Sequence, residues 1–180
     1  MLRLLASASV AVLLAAPTAS AQTPRQRGSY PVEFGIDGDV IFGLESPRTT
    51  LITLPAPIFR VGFIITDKLE MEPRFSLTSA HVSGFGSFTD YSFELGVLYQ
   101  PAGDRVGKGF YARPFVGVSG GDDSQSTSSS DGYAGLGLGL KMPFAGRRLA
   151  FRPEAAYMHN FGTGGGNAIA LILGLSFFTR

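Results

Sequence analysis

The feature that most constrains this chain is a hydrophobic period of two, repeated in eight segments of roughly ten residues. In the clearest segment, Asp90 to Pro101, one face carries Tyr91, Phe93, Leu95, Val97 and Tyr99, and the other carries Ser92, Glu94, Gly96, Leu98 and Gln100. Successive side chains of a strand point to opposite faces, so the pattern predicts β-strands with one apolar and one polar face. About ten residues is also the length with which a tilted strand crosses a bilayer.

Eight strands are predicted along the chain. They are Glu33–Leu44, Ile58–Ile65, Leu69–Ala80, Asp90–Pro101, Phe110–Ser119, Gly132–Met142, Leu149–Asn160 and Asn167–Phe178. The connections after the even-numbered strands are mostly short, and those after the odd-numbered strands are mostly longer, with loops 44–57 and 120–131 the longest. Short turns at one end and long loops at the other are typical of a transmembrane barrel whose short turns face the periplasm.

Alternation alone does not decide which face points outward. A soluble periplasmic lipocalin-like carrier would turn its apolar face inward. Here the polar face contains Gly135, Gly137 and Gly139, which suit a narrow, crowded interior and would only weaken a water-facing strand. The apolar face has aromatic residues near the strand ends, as membrane interfaces favour: Tyr91, Tyr99, Phe110, Tyr157 and Phe177. The sequence therefore predicts an all-β fold, an eight-stranded antiparallel up-and-down transmembrane β-barrel.

Charged residues fall on the predicted inner face. They are Glu33, Asp37, Asp39, Arg60, Glu70, Glu72, Arg74, Glu94, Arg113, Lys141, Arg152 and Glu154. An unpaired ion in a narrow lumen is costly, so we expect a salt-bridged network that fills the interior rather than a pore or ligand site. Asp37 and Asp39 have no histidine or further fixed ligand nearby in the sequence, so we predict neither a metal site nor a cofactor.

The first residues read as a secretory signal. Arg3 is followed by the apolar stretch 4–16 and by the small-residue sequence Ala19-Ser20-Ala21. We expect residues 1–21 to be removed, residues 22–32 to form a leader, and residues 33–180 to form the barrel in the bacterial outer membrane. The formal net charge of +1 does not indicate a nucleic-acid partner, and the absence of cysteine excludes thiol chemistry.

Candidates for catalysis are few, because the chain has only two histidines, His81 and His159. His81 is near Ser79, Ser83 and Asp90 in the sequence, and a lipid-modifying outer-membrane enzyme with a rim histidine and serine is the alternative this permits. Catalysis needs nucleophile, base and orienting group in mutual reach, which proximity on a loop does not establish. We predict no catalytic residues and no enzyme activity.

The signal, the eight alternating strands, the short even-numbered turns and the segment Arg113-Pro114-Phe115-Val116-Gly117 together resemble a known family. It is the family of small eight-stranded outer-membrane β-barrels typified by the outer membrane protein A transmembrane domain, and the resemblance covers residues 33–178. It implies a structural or surface-interaction role in outer-membrane lipid, with insertion by the barrel-assembly machinery. Loops 44–57 and 120–131 are the segments expected to meet an external partner.

Overall fold

A computed structural model describes residues 32–45, 50–82, 86–102, 108–123, 129–144, 148–162 and 165–179. The strands are β1 (Val32–Gly43), β2 (Thr50–Ile64), β3 (Leu69–Val82), β4 (Gly86–Tyr99), β5 (Gly109–Asp123), β6 (Ser129–Phe144), β7 (Leu149–Asn160) and β8 (Asn167–Phe178). Within the described ranges, no helix is long and apolar enough to cross a membrane. The predicted signal and leader lie outside the described residues, except that Val32 already belongs to β1.

Each strand pairs antiparallel with the next, and β8 returns to β1 to close a barrel. The closing ladder is regular from Glu33 opposite Phe178 to Gly43 opposite Ala168. Closure gives every strand a neighbour on both sides, which is the condition for a sheet to exist in hydrocarbon. The β2–β3 ladder is the shortest, from Phe59 opposite Phe75 to Ile64 opposite Glu70. The predicted fold class is confirmed.

Two predicted loop boundaries are wrong. The loop expected at 44–57 is shorter, because β2 begins at Thr50 and pairs with β1 from Phe42 to Asp39. Residues 54–57 lie opposite Gly38, where the β1–β2 register shifts. They include Pro55 and Pro57, which cannot donate to a ladder and are accommodated in this irregularity.

The loop expected at 120–131 is also mostly strand, because β5 continues to Asp123 and β6 begins at Ser129. Gly120 pairs with Ser130, and Gly121 with Ser129. These residues are polar or glycine on both faces, so the period of two disappears although the backbone ladder continues. The loop predicted over 120–131 is therefore wrong at its two ends, which are strand.

The apolar face points outward, as the sequence predicts. On β6, Leu136 and Leu138 are exposed, Leu138 to 60%, whereas Gly137 and Gly139 between and beside them are buried. All five aromatic residues expected at the membrane interfaces are exposed. This inside-out arrangement contradicts the lipocalin-like alternative, in which leucines would line the cavity and charges would face water.

Three outward-facing prolines interrupt the ladders at matching places on β3, β5 and β7. The β4–β5 ladder pairs Gly96 with Phe115 and resumes only at Tyr99 with Ala112, so it skips Pro114. The β2–β3 and β6–β7 ladders skip Pro73 and Pro153 in the same way. Proline has no N–H to donate, so each gap is one missing backbone hydrogen bond. All three gaps lie in strand pairs joined by the short turns, β2–β3, β4–β5 and β6–β7. The pairs joined by the other connections, β3–β4, β5–β6 and β7–β8, keep these prolines in their registers.

Candidate functional site

The structure places the twelve charged residues named from the sequence inside the barrel, each no more than 9% exposed. They project from inward positions of β1 to β7, because alternate residues of each strand share a face. We call this set the ionic cluster. It contains seven carboxylates and five basic groups, so its formal charge is −2 when all are ionised.

One centre of the ionic cluster is Arg60 on β2. Its guanidinium donates to Glu33, to Asp37 at 3.1 and 3.2 Å, and to the Ser176 hydroxyl at 3.0 Å. Glu72 lies 3.5 Å from the same guanidinium. The planar fork of arginine suits several carboxylates at once, which explains why one side chain joins strands β1, β2, β3 and β8.

The other centre is Glu154 on β7. Its carboxylate accepts hydrogen bonds from the Tyr111 hydroxyl at 2.7 Å, from Arg113 Nη2 at 2.6 Å and from Arg74 Nη2 at 3.1 Å. Arg152 connects the two centres, since it pairs with Glu72 and lies 3.4 Å from Glu154. The lumen thus contains one continuous hydrogen-bonded network, the arrangement in which buried charges are tolerated.

Near the short turns, Lys141 Nζ binds Glu33 and lies 2.6 Å from Glu70 Oε2. Glu33, Glu70 and Glu72 offer carboxylate oxygens within 4.8 Å of one another. Basic groups already contact all three, however, so a cation there would have to displace Lys141 or an arginine. The sequence motif considered for metal binding, Asp37 and Asp39, is not part of this group.

Beyond the ionic cluster, toward the longer connections, the lumen is filled by apolar side chains that sequence reasoning missed. Their core is Phe115, Ala156, Ala170 and Ile172, with Ile41, Tyr133 and Met158 packed against it. We call these seven residues the apolar cluster. The Phe115 and Tyr133 rings meet edge to face at 6.2 Å, and the Arg113 guanidinium lies 4.5 Å from the centre of the Phe115 ring.

Two glycines make room for these rings. A Cβ on Gly117 would lie 2.4 Å from the Tyr133 ring, and one on Gly135 would lie 2.4 Å from Phe115 and 2.3 Å from the backbone oxygen of Tyr157. The glycines of the inner face are thus places where a neighbouring side chain crosses the strand. Gly117 lies opposite Tyr133 and Gly135 lies opposite Phe115. Glycines at alternate positions of an inner face are therefore a sequence signal for large side chains on the neighbouring strand.

The two histidines have different surroundings. His81 lies in β3 opposite Ser87, and its side chain is outside the described part of the structure. His159 is exposed at the outer end of β7, and its Nδ1 lies 3.0 Å from Asn167 Oδ1. That oxygen also accepts from the Tyr157 hydroxyl at 2.6 Å, while Asn167 Nδ2 donates to Glu45 at 2.9 Å. These contacts orient a rim histidine but place no serine beside it among the contacts described.

Several solved structures share this architecture. The N-terminal β-barrel domain of Pseudomonas aeruginosa OprF matches with a TM-score of 0.54 at 19% identity, over 83% of this chain and 98% of that one. Neisserial surface protein A matches with a TM-score of 0.54 at 12% identity, over 81% of this chain and 96% of that one. Ail, the attachment invasion locus protein of Yersinia pestis, matches with a TM-score of 0.50 at 14% identity, over 83% and 98%.

The fold is that of the small outer-membrane β-barrels. No family model and no curated protein matches the chain. At these identities the likeness shows the fold alone.

Proposed function

We propose that this chain is a bacterial outer-membrane barrel with a side-chain-filled lumen and a structural or surface-interaction role. The observation that carries the proposal is the inside-out distribution of side chains. Charged residues are paired inside, and large apolar residues such as Phe59, Leu138 and Leu173 cover the outside. Only a hydrocarbon environment makes an apolar exterior of this kind favourable.

The filled lumen argues against transport through the barrel. An eight-stranded interior is just wide enough to be occupied by side chains. Here the ionic cluster and the apolar cluster occupy successive levels of it, with Arg113 against Phe115 at their boundary. A solute would have to break buried ion pairs and then displace packed rings. We therefore assign the structural or surface-interaction role to the outside of the barrel rather than to its lumen.

We place contact with an external partner on the connections beyond the strands. These are shorter than the sequence predicted, 44–49 and 124–128 rather than 44–57 and 120–131. The polar strand ends next to them belong to the same surface. Cleavage after Ala21 and insertion by the barrel-assembly machinery remain part of the proposal.

We propose no enzyme activity. The lipid-modifying alternative requires a rim histidine within hydrogen-bond reach of a serine nucleophile. Among the described residues, the His159 contacts provide an orienting amide and no serine; the side chain of His81 lies outside the described part of the structure. Mass spectrometry of envelope lipids from cells with and without the protein tests this part. A lipid product that depends on His81 or His159 would replace our proposal with the enzymatic one.

Cell fractionation together with a gel of boiled and unboiled samples tests the main proposal. We expect the protein in the outer-membrane fraction, and a change in migration on boiling, because a closed barrel resists detergent until heated. Recovery in the soluble periplasm, or identical migration of a sample whose β-structure has been verified by circular dichroism, would overturn it.

A further inference from the structure

The two ends of the barrel carry opposite charge. At the end with the short turns, the described residues include Lys68, Lys108 and Arg148, all exposed, with Asp67 as the acidic residue among them. The sequences of these turns add Arg105 and Arg147 against Asp104, so the three connections contain five basic and two acidic residues. One basic group is therefore present at each of the three turns in the described structure.

The opposite end is acidic. Its connections and strand ends contain Glu45, Asp90, Asp122, Asp123 and Asp131, with Arg48 as the basic residue in the sequence of the same segments. The charge difference is therefore directed along the barrel axis. A uniform need for solubility would not sort the two signs to opposite ends.

Each of the three described basic residues at the short turns has a large exposed apolar residue within four positions in the sequence. Lys68 follows Ile65, which is 52% exposed; Lys108 precedes Phe110, which is 70% exposed; Arg148 follows Phe144, which is 45% exposed. An apolar side chain directed to the acyl chains beside a cation directed to the headgroups is the arrangement of residues at a membrane interface. The same pairing occurs at all three turns.

Hydrogen bonds fix the backbone of two of these basic residues, Lys68 and Arg148. The Thr66 hydroxyl accepts from the amides of Lys68 and Leu69 at 3.2 and 3.0 Å, and the Lys68 carbonyl accepts from the Gln100 amide at 2.8 Å. The Arg148 carbonyl accepts from the Phe178 amide at 2.9 Å. Less conformational entropy is lost when a partner binds groups on a backbone that is already fixed.

From these observations we propose that the short-turn end of the barrel is a binding surface for the phosphate headgroups of anionic phospholipids in the adjacent leaflet. The proposal rests on the proposed function, since it needs the barrel to lie in a bilayer. The partner follows from complementarity of charge and from the paired apolar residues, which would lie against the acyl chains of the same lipid. Attraction of anionic lipid by a basic residue near the surface is substantial for each residue and decreases with salt.

The experiment uses the refolded protein in phosphatidylcholine vesicles with a trace of spin-labelled phosphatidylglycerol or spin-labelled phosphatidylcholine. Electron paramagnetic resonance measures the share of each label immobilised at the protein surface. We expect about threefold or greater preference for phosphatidylglycerol at low salt, decreasing toward one in 0.5 M NaCl. A gel of boiled and unboiled portions of the same samples verifies that the barrel has folded. Failure of the proposed function is therefore distinguished from failure of the lipid-binding proposal.

Three combined variants decide the location of the preference. Lys68→Gln with Lys108→Gln and Arg148→Gln should reduce the preference to about one. Lys68→Arg with Lys108→Arg and Arg148→Lys should keep it, and provides a folded comparison that retains charge. Glu45→Gln with Asp90→Asn and Asp131→Asn should leave it undiminished. No preference in the inserted wild-type protein, a preference that survives the glutamine variant, or its loss in the charge-retaining variant would overturn the proposal.

Discussion

The ionic cluster and the apolar cluster fill the same lumen by two different physical means. In the ionic cluster, Arg60 and Glu154 each contact several partners, and these buried charges are compensated by groups of opposite charge. In the apolar cluster, Phe115 and Ile172 pack against neighbours without directional bonds. The comparison shows that the lumen of a narrow barrel can be filled either by paired charges or by packed apolar side chains.

The two kinds of packing should respond differently to mutation. Removing one member of a buried ion pair leaves an uncompensated charge, and this costs more than the pair itself contributes. Removing part of an apolar side chain costs only the lost contacts and the cavity. The free energy of unfolding, measured by urea titration in lipid vesicles, tests that difference.

The largest effect is expected at Arg113, which is fully buried and pairs with Glu94 and Glu154. Arg113→Met should lower the free energy of unfolding by about 3–5 kcal/mol, because Glu94 would then keep, among the described residues, one ion pair in the lumen, with Arg74 at 3.8 Å. Arg113→Met combined with Glu94→Met removes both partners and should recover part of this loss. A double variant no more stable than the single one would show that the pairing is not what stabilises this cluster.

An intermediate effect is expected where the strand backbone faces the ionic cluster. A Cβ on Gly137 would lie 2.4 Å from Glu154 Oε1, which Arg113 holds in place. Gly137→Leu should therefore cost about 1–3 kcal/mol through overpacking. Leu138→Phe on the outer face should be nearly neutral, because lipid rearranges around a larger apolar group. The reverse result would mean that the facing of β6 is wrong.

A smaller effect is expected in the apolar cluster. Ile172→Val removes one methylene from the packed interior and should cost about 0.5–1.5 kcal/mol. Leu173→Val changes the same volume on the lipid side of β8 and serves as the matched control, with less effect expected. Equal losses for the two variants would contradict the assignment of Ile172 to a packed core.

The sequence could predict the ionic cluster because charge on an otherwise apolar strand has few explanations. Glu72, Arg113 and Arg152 alternate with outward residues, and a period of two is enough to assign their face. It could not predict the apolar cluster, since the cluster members Ala170 and Ile172 alternate with Ile169 and Leu171, and both faces of β8 are then apolar. Their inward position follows from the register with β7 and β1, which depends on contacts distant in sequence.

The strand ends also show what a hydrophobic period of two cannot predict. β7 and β8 begin and end at the predicted residues, because their connections are short and their apolar pattern runs the full length. β2 and β5 continue beyond the prediction, because their outer ends are polar or contain proline. Periodicity reports where a strand lies in lipid; it does not report how far the backbone ladder continues into water.

The smallest expected effect concerns Pro114, which separates Arg113 of the ionic cluster from Phe115 of the apolar cluster. The register on either side of the gap places Pro114 opposite Val97. Proline has no N–H, so it cannot donate a hydrogen bond to the Val97 carbonyl across the β4–β5 ladder. In a lipid environment this missing hydrogen bond is costly. Pro114→Val supplies the missing N–H, and the new hydrogen bond should contribute about 0.5–1.5 kcal/mol to the free energy of unfolding before any opposing cost. The new amide should also exchange slowly with deuterated water, which hydrogen-exchange mass spectrometry can detect.

A second contribution acts in the opposite direction and has to be separated. Proline restricts the unfolded chain, so removing it costs about 0.4–1 kcal/mol wherever the native backbone suits proline. Pro101 lies in a turn after β4 and takes part in no ladder, so Pro101→Val measures this cost alone. Subtracting the two changes isolates the hydrogen bond between β4 and β5. If Pro114→Val is destabilised as much as Pro101→Val, the gap in the ladder is not a weakness of the barrel, and the boundary between the two clusters is stabilised by side chains alone.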